Sequence, residues 1–135
     1  MEFSVQTKKR DEIIDITEQV SDVVSKSKAK IKEGICLVYV PHATAALTIN
    51  ENADPNIGID FLEALDKLIP QGIWRHDKID RNGAAHIKAA IIGPDVVIPI
   101  KNNQLALGTW QGIMLCEFDG PRDRRVIVKI VKCRF

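Results

Sequence analysis

The chain has 135 residues, of which 45% are hydrophobic and 27% are charged, and its formal charge is +1. This length suits one domain with a single core, and the balanced charge excludes the strong positive field expected of a nucleic-acid-binding protein. The apolar runs are no longer than strands and the first residues do not resemble a signal peptide. We therefore expect no membrane span and a cytoplasmic location.

The first half of the chain predicts two short strands, a helix and two longer strands. Apolar residues alternate in "EFSVQT" and "DEIIDIT", and a helix begins near Thr17 with three valines at helical spacing. The run "GICLVYV" is apolar throughout and has the length of a strand, which indicates a central position in a sheet. Pro41 ends this strand, and "TAALTINE" follows as another extended segment.

Two further helices are predicted in the middle of the chain. Asp54 and Pro55 are typical of the N-cap and first position of a helix, and the apolar spacing continues to about Pro70. A polar loop containing Trp74 follows. The next helix runs from about Gly83 to Ile92, with Asn82 as its cap.

The remainder of the chain predicts β-structure. The segment "DVVIPI" leads to a turn at Asn102 and Asn103, a short return strand, "QGIMLCEF" and "RRVIVKIVKCRF". The Gly-Pro turn between the last two segments predicts that they form a β-hairpin. Together the elements predict a single α+β domain over residues 1–135, with three helices on one side of a mostly antiparallel sheet. The apolar, β-branched strands also indicate a homo-oligomer.

The cysteines do not indicate a metal or redox site. Cys36, Cys116 and Cys133 are far apart in the sequence, and each falls in a predicted strand without a CxxC pair. We expect buried, reduced thiols.

The three histidines are the main candidates for chemistry. His42 follows Pro41 at a strand end, while His76 and His86 both lie in "HDKIDRNGAAHIKAA". Each has an ordinary structural explanation, and their spacing is not a zinc motif. Three neutral imidazoles with water nevertheless form a common open zinc site. Asp77 or Asp80 is close enough in sequence to orient a ring.

Other polar residues suggest a phosphate or proton-transfer role. Free N–H groups at the start of the last predicted helix, Gly83 to Ala85, would admit an anion. Glu51 follows an apolar strand and is a candidate general base or cation ligand. Trp110, between two glycines, is either a core aromatic or a stacking platform. Arg122, in the turn "DGPRD", is either a solvated arginine or a phosphate clamp.

Three long segments resemble the signature of the YjbQ-type proteins. They are "PHATAALTINENADP", "HDKIDRNGAAHIKAAIIGP" and "LALGTWQGIMLCEFDGPRDRRV". The resemblance spans about residues 34–131 and implies a single-domain α+β protein that forms homotrimers. It implies His42, His76 and His86 as metal ligands, with Glu51 and Asp80 as catalytic candidates. Asn52, Trp110 and Gln111 also fall in the motif, as expected substrate contacts beside Arg122.

The resemblance also implies a secondary thiamine-phosphate synthase activity. That reaction joins hydroxymethylpyrimidine diphosphate to hydroxyethylthiazole phosphate and releases diphosphate. One departure is visible: family members often have a further acidic residue before "AAH", where this chain has "DKIDRNG".

The residue chemistry leaves two classes of function open. Diphosphate release normally uses Mg²⁺, which prefers oxygen ligands, whereas three histidines favour zinc. The site therefore fits metal-assisted hydrolysis better than diphosphate displacement, although magnesium remains the alternative for a diphosphate substrate. We expect either a metal-dependent enzyme for a small phosphorylated substrate or a non-catalytic trimeric module that binds a metabolite or metal.

Overall fold

The computed structural model describes residues 1–133 and confirms the predicted α+β class, with three α-helices, one 3₁₀ helix and eight strands in that range. In chain order the elements are β1 (Glu2–Gln6), β2 (Glu12–Asp15), α1 (Thr17–Ser25), β3 (Glu33–Tyr39), β4 (Ala45–Glu51), α2 (Pro55–Leu68), the 3₁₀ helix (Arg75–Lys78), α3 (Gly83–Ile92), β5 (Asp95–Lys101), β6 (Gln104–Leu105), β7 (Gln111–Glu117) and β8 (Asp123–Lys132). Residues 134 and 135, the end of the predicted last strand, lie outside the described residues.

Local sequence chemistry explains several of these boundaries. The Asp54 carboxylate accepts the N–H of Asn56 at 2.9 Å, so the predicted cap of α2 is confirmed. Both Asn102 and Asn103 adopt positive φ between β5 and β6, as a tight hairpin turn requires. Among residues 1–133, no helix has the length and apolar character needed to cross a membrane.

The strands form two antiparallel sheets. The large sheet has the order β1-β8-β3-β5-β6, and the small sheet has the order β2-β7-β4. The run "GICLVYV" lies mainly in β3, which has β8 on one side and β5 on the other, so its predicted central position is confirmed. The sequence predicted one mostly antiparallel sheet, and the structure has two antiparallel sheets.

The predicted hairpin between the last two strands is wrong. β7 belongs to the small sheet and β8 to the large one, so the intervening turn carries the chain between sheets. The reason is burial: six of the seven β7 residues are buried on consecutive positions, which suits a strand covered on both faces. In contrast, β8 alternates between buried and accessible positions over most of its length and covers one side of the core.

The small sheet is the middle layer of the molecule. One of its faces packs against the large sheet in a core that also receives Val20 and Val24 of α1. Its other face packs under α2 and α3 in a second core. Members of this second core include Ala46, Ala84, Ala85 and Ala89. These small side chains let α3 approach β4 closely, which places the first turn of α3 beside the end of β7.

A buried ion pair joins the two sheets where β7 leads into β8. Glu117 is fully buried and Arg124 is 3% exposed, and the arginine Nε donates to the carboxylate at 2.9 Å. Thr7 donates to the same carboxylate at 2.7 Å, and Thr44 accepts from Arg124 at 2.8 Å. A buried pair with these additional hydrogen bonds holds the crossover, although a charged pair is not by itself the most stabilising filling of a core.

Two of the three cysteines match the expectation of buried thiols. Cys36 and Cys116 are buried and unpaired, whereas Cys133 lies just after β8 and is half-buried. Burial raises the pKa of Cys36 to about 11 and that of Cys116 to about 12. Both thiols are therefore packing residues without nucleophilic character at neutral pH.

Candidate functional site

His76 and His86 come together at the start of α3. His76 lies in the 3₁₀ helix, and His86 lies in the first turns of α3. Their ring centroids are 4.7 Å apart, with an angle of 83° between the ring planes, so the edge of one imidazole meets the face of the other. The two histidines predicted from "HDKIDRNGAAHIKAA" thus share one location.

Asp77 fixes the two helices that hold this pair. Its carboxylate accepts the N–H of Trp74 at 3.0 Å and the N–H of Gly83 at 2.8 Å. A Cβ on Gly83 would lie 2.7 Å from Trp74 Cβ, so the close approach requires glycine. Asp77 therefore orients the histidines through the backbone, whereas the sequence had offered it as a direct acceptor for a ring nitrogen.

One of the three N–H groups that the sequence offered to an anion at the N-terminus of α3 is already bonded within the protein. The N–H of Gly83 is already bonded to the Asp77 carboxylate, and the two alanines that follow are buried. The predicted side-chain cap is also different, because the Asn82 amide donates to Asp119 at 2.9 Å and forms no cap bond. A protein carboxylate thus binds the first of these N–H groups, and the anion site over the other two stays a prediction.

The His76 ring has an unusual environment. Its Nε2 atom is buried and has no hydrogen-bond partner among the described residues. Asp80 Oδ2 is 3.7 Å from this atom, which exceeds hydrogen-bonding distance. Buried polar atoms are nearly always paired in folded proteins, so an unpaired ring nitrogen marks a position that a ligand can satisfy.

A cleft of about 540 Å³ lies beside the two rings. Its wall combines both imidazoles with apolar and cationic side chains. The lining residues are Ile73, Trp74, Arg75, His76, Gly83, His86 and Ile87. Arg75 is accessible, and Trp74 is fixed by a 2.7 Å bond from its Nε1 to the Pro70 carbonyl. The cleft is suited to a small molecule with an organic ring and an anionic group.

His42 lies apart from this pair within one chain. It stands between β3 and β4, and its Nε2 accepts the backbone N–H of Arg125 at 2.8 Å. Burial, followed by the positive charges of Arg124 and Arg125, lowers the pKa of His42. Across residues 1–133, no three histidine, cysteine or acidic side chains are grouped closely enough to hold a metal. Ligation by His42 stays a prediction.

The remaining motif residues collect at the opposite end of the small sheet. Glu51 pairs with Gln111 across β4 and β7, and Asn52 lies 3.0 Å from where a Cβ on Gly112 would stand. Trp110 is 65% exposed beside them. Glu51 is six residues along β4 from Ala45, or about 20 Å at the rise of a strand. One chain therefore presents two clusters, one at each end of β4.

Arg122 belongs to the α3 end of the molecule. It donates to the Asp119 carbonyl at 2.7 Å and to its carboxylate at 3.1 Å, and the same carboxylate accepts from Asn82. Its side chain is 54% exposed, so one side of the guanidinium still faces solvent. Neither a free turn arginine nor a preformed phosphate clamp describes this arrangement well.

The comparisons with known proteins identify the family. A family model described as "UPF0047 protein YjbQ-like" matches residues 1–133. The chain belongs to this family. A UPF0047 protein of Archaeoglobus fulgidus is 50% identical over 96% of this chain and 98% of that protein. The UPF0047 protein YugU of Bacillus subtilis is 44% identical, with 96% of each chain covered.

Solved structures of family members have the same fold. An uncharacterised conserved protein of the family from Clostridium acetobutylicum superposes with a TM-score of 0.91 at 47% identity, covering 97% of this chain and 99% of that one. A YjbQ-like protein from Sulfolobus solfataricus gives 0.93 at 40% identity, covering 98% and 95%. Similarity over nearly the full length confirms the family resemblance and extends it beyond residues 34–131.

Sequence reasoning missed the charged residues that support the site. Glu117 and Arg124 anchor the segment that carries His42, and buried Lys88 in α3 contacts the carboxylates of Asp66 and Asp11. A usable signal was present for Glu117 and Lys88. Each is a charge inside an otherwise apolar run, "IMLCEF" and "AAHIKAAII", where an unpaired charge would be costly.

Proposed function

We propose that the chain is a metal-dependent enzyme that acts on a small phosphorylated substrate in the cleft beside His76 and His86. The observation that supports this is the unpaired, buried Nε2 of His76 beside a second imidazole in the cleft wall. Imidazoles suit zinc and similar transition metals, so this donor pair fits zinc better than magnesium. Magnesium, held through oxygen ligands, is the alternative for a diphosphate substrate.

Different residues in and beside the cleft bind the substrate and transfer the proton. A bound zinc-class ion supplies Lewis acidity at the substrate. The guanidinium of Arg75 binds the phosphate group, and the apolar wall around Trp74 contacts the organic part. The Asp80 carboxylate lies 3.7 Å from His76 Nε2 and is the carboxylate nearest to this nitrogen. Asp80 can therefore hold or move a proton there.

The complete site is formed between subunits of a homotrimer. Within one chain the Glu51 cluster lies about 20 Å along β4 from the end beside α3. A neighbouring subunit can bring Glu51, Asn52, Trp110 and Gln111 to the cleft. The outer face of the large sheet supports association, because Ile35, Val97 and Val131 leave apolar surface exposed there. A cytoplasmic location remains a prediction.

Hydrolysis of a phosphate ester is the better supported reaction, with thiamine-phosphate synthesis as a secondary activity. Diphosphate release demands several cationic groups around the leaving group. Among the described cleft-lining residues, Arg75 is the one lysine or arginine. The synthase reaction therefore lacks the charge neutralisation that would make it efficient, whereas a single phosphate needs less.

Elemental analysis of the purified protein tests the metal site first. We expect close to one transition metal per chain after zinc loading, and its loss in His76→Ala and His86→Ala without loss of helical circular dichroism. Asp60→Asn, an exposed change on α2, is a matched surface control that should keep the metal. Absence of metal from the zinc-loaded native protein would overturn the proposal.

Turnover then separates an enzyme from a binding module. The zinc-loaded protein is tested for phosphate release from small phosphate esters, and for thiamine phosphate formed from the two synthase substrates. We expect Glu51→Gln and Asp80→Asn to lower turnover by about 10²-fold or more, as for a positioned acid or base, with the fold intact. Tight metal binding with no turnover on either set of substrates would favour the non-catalytic trimeric module.

A further inference from the structure

We infer that Trp74 selects the organic part of the substrate in the cleft, and that this part is a planar aromatic ring rather than a sugar or a saturated chain. The inference rests on the proposed function, since it names the substrate class of the same cleft, but it depends on no particular set of metal ligands. The sequence offered Trp110 as the stacking platform. Here that role belongs to Trp74, which lines the cleft.

The indole of Trp74 is fixed by side-chain and backbone hydrogen bonds. Its Nε1 donates to the Pro70 carbonyl at 2.7 Å, and its backbone N–H donates to the Asp77 carboxylate at 3.0 Å. Its Cβ lies so close to Gly83 that a Cβ on that glycine would be only 2.7 Å away. A ring fixed in this way loses little freedom when a ligand binds, so more of the contact energy contributes to affinity.

Trp74 is packed against the protein on one side and available to a ligand on another. It is half-buried and packs against the second core, whose buried members on α3 are mainly alanines. It also lines the cleft beside His76 and His86. Aromatic rings bind one another in offset-stacked or edge-to-face arrangements, with a gain beyond the area that they bury. A supported indole at the cleft therefore offers a planar ring a better contact than a puckered one.

The rest of the wall that one chain builds suits an apolar ring better than a sugar. Ile73 is 67% exposed at the cleft, and Ile87 also lines it. Among the described lining residues there is no carboxylate, carboxamide or hydroxyl side chain to pair with sugar hydroxyls. A hydroxyl group against these isoleucines would lose its hydrogen bonds to water without replacement, which is unfavourable. The guanidinium of Arg75 remains for the phosphate group.

Trp110 is less suited to this selection. Its side chain is 65% exposed, and it precedes Gln111, which pairs with Glu51 at the far end of β4. An exposed ring must be ordered when it binds a ligand, and that cost reduces its contribution to affinity. We therefore expect the ring selectivity of the cleft to depend on Trp74.

Two phosphonates of the same charge and similar size test the selection. Phenylphosphonate has a planar ring and cyclohexylphosphonate a puckered one, and neither contains a P–O–C bond that an enzyme could hydrolyse. Titration calorimetry of the zinc-loaded protein should find that phenylphosphonate binds about three- to tenfold more tightly, as expected for one stacking contact. Equal affinities for the two ligands would overturn the inference.

Fluorescence identifies the tryptophan that contacts the ring. The chain has two tryptophans, so Trp110→Phe leaves Trp74 as the one fluorescent indole. Saturation of this variant with phenylphosphonate should change the intensity of Trp74 fluorescence, and inorganic phosphate should change it much less. An unchanged Trp74 signal with phenylphosphonate bound would count against stacking and overturn the inference.

Two substitutions in the cleft wall separate ring selection from general apolar contact. In Trp74→Leu, which keeps an apolar side chain, the affinity ratio of the two phosphonates should fall to about one. In Ile73→Ala, the matched control, both affinities should fall while the ratio is kept, because the lost contact has no preference for a planar ring. A ratio retained in folded Trp74→Leu would overturn the inference. If Trp74→Leu does not fold, the fluorescence of Trp110→Phe decides.

The same titrations separate this inference from the proposed function. Equal binding of both phosphonates to a protein that holds zinc would overturn the inference and leave the proposed function in place. Selective binding of phenylphosphonate to a protein that takes up no zinc would overturn the proposed function and leave the inference in place. Failure of both phosphonates to bind would overturn the substrate site in the cleft, and with it both proposals.

Discussion

Substitution of Gly83 by alanine should destabilise the protein, although alanine is normally the better helix residue. A Cβ at this position would lie 2.7 Å from Trp74 Cβ and 2.9 Å from Asp77 Oδ1. Overpacking of this kind costs about 1–3 kcal/mol, and displacement of Asp77 weakens its bond to the Gly83 N–H. The gain in helix propensity is at most about 1 kcal/mol. The net expectation is a loss of about 1–2 kcal/mol.

Gly58 in α2 provides the matched control. Its added Cβ would meet Ile13 Cβ at 3.7 Å, an ordinary contact, so Gly58→Ala should stabilise by about 0.5–1 kcal/mol. Urea unfolding followed by circular dichroism, at one protein concentration for all variants, measures both free energies. Gly83→Ala should also weaken zinc binding, because the contact that sets the His76–His86 pair is moved. If Gly83→Ala were as stable as the native protein or more stable, the close packing of Gly83 against Trp74 and Asp77 would be refuted.

Three further predictions concern buried and titrating groups. Glu117→Ala should lose about 3–5 kcal/mol in urea unfolding, because a buried guanidinium is left without its carboxylate; a loss below about 1 kcal/mol would contradict that role. Burial raises the pKa of Cys36 and Cys116, so thiol labelling of the native protein at pH 8 should modify Cys133 alone, as measured by mass spectrometry. Rapid labelling of all three thiols would contradict the fold. The lowered pKa of His42 makes the folded state bind the imidazole proton less readily than the unfolded chain, so the stability that His42 contributes is present above pH ~6.5 and is lost as the pH falls through the folded-state pKa. In His42→Gln the free energy of unfolding should therefore vary less with pH in that window. An unchanged slope would argue against the lowered pKa.

The local chemistry of the sequence was sufficient for most of the elements. Asp54 and Pro55 start α2 as predicted, and the asparagine pair forms the β5–β6 turn. The bounds of α3 were also correct. These features depend on caps, turn conformations and periodicity within a few residues, which act wherever the segment is placed in the fold. The alternation of β8 and the apolar run in β3 likewise indicated strands without reference to any partner.

Local sequence signals were sufficient to predict that His76 and His86 lie together, but not where the other site residues lie. His76 and His86 are ten residues apart and joined by a short connection, so their meeting depends on local geometry around Asp77 and Gly83. The positions of His42 and of Glu51 depend instead on which strands pair. The sequence pattern of a strand does not by itself indicate which other strand it pairs with.

By itself, the sequence determined the α+β class, the helices, most strand positions and the family. The tertiary structure decided which sheet each strand joins, and it placed β7 and β8 in different sheets despite a turn that suits a hairpin. It also decided that Asp77, and not a ligand, occupies the N–H of Gly83, and that the Arg125 amide takes up the lone pair of His42. The physical reason is that burial and buried hydrogen bonds are satisfied by residues distant in the chain, and these outweigh local preferences of about 1 kcal/mol.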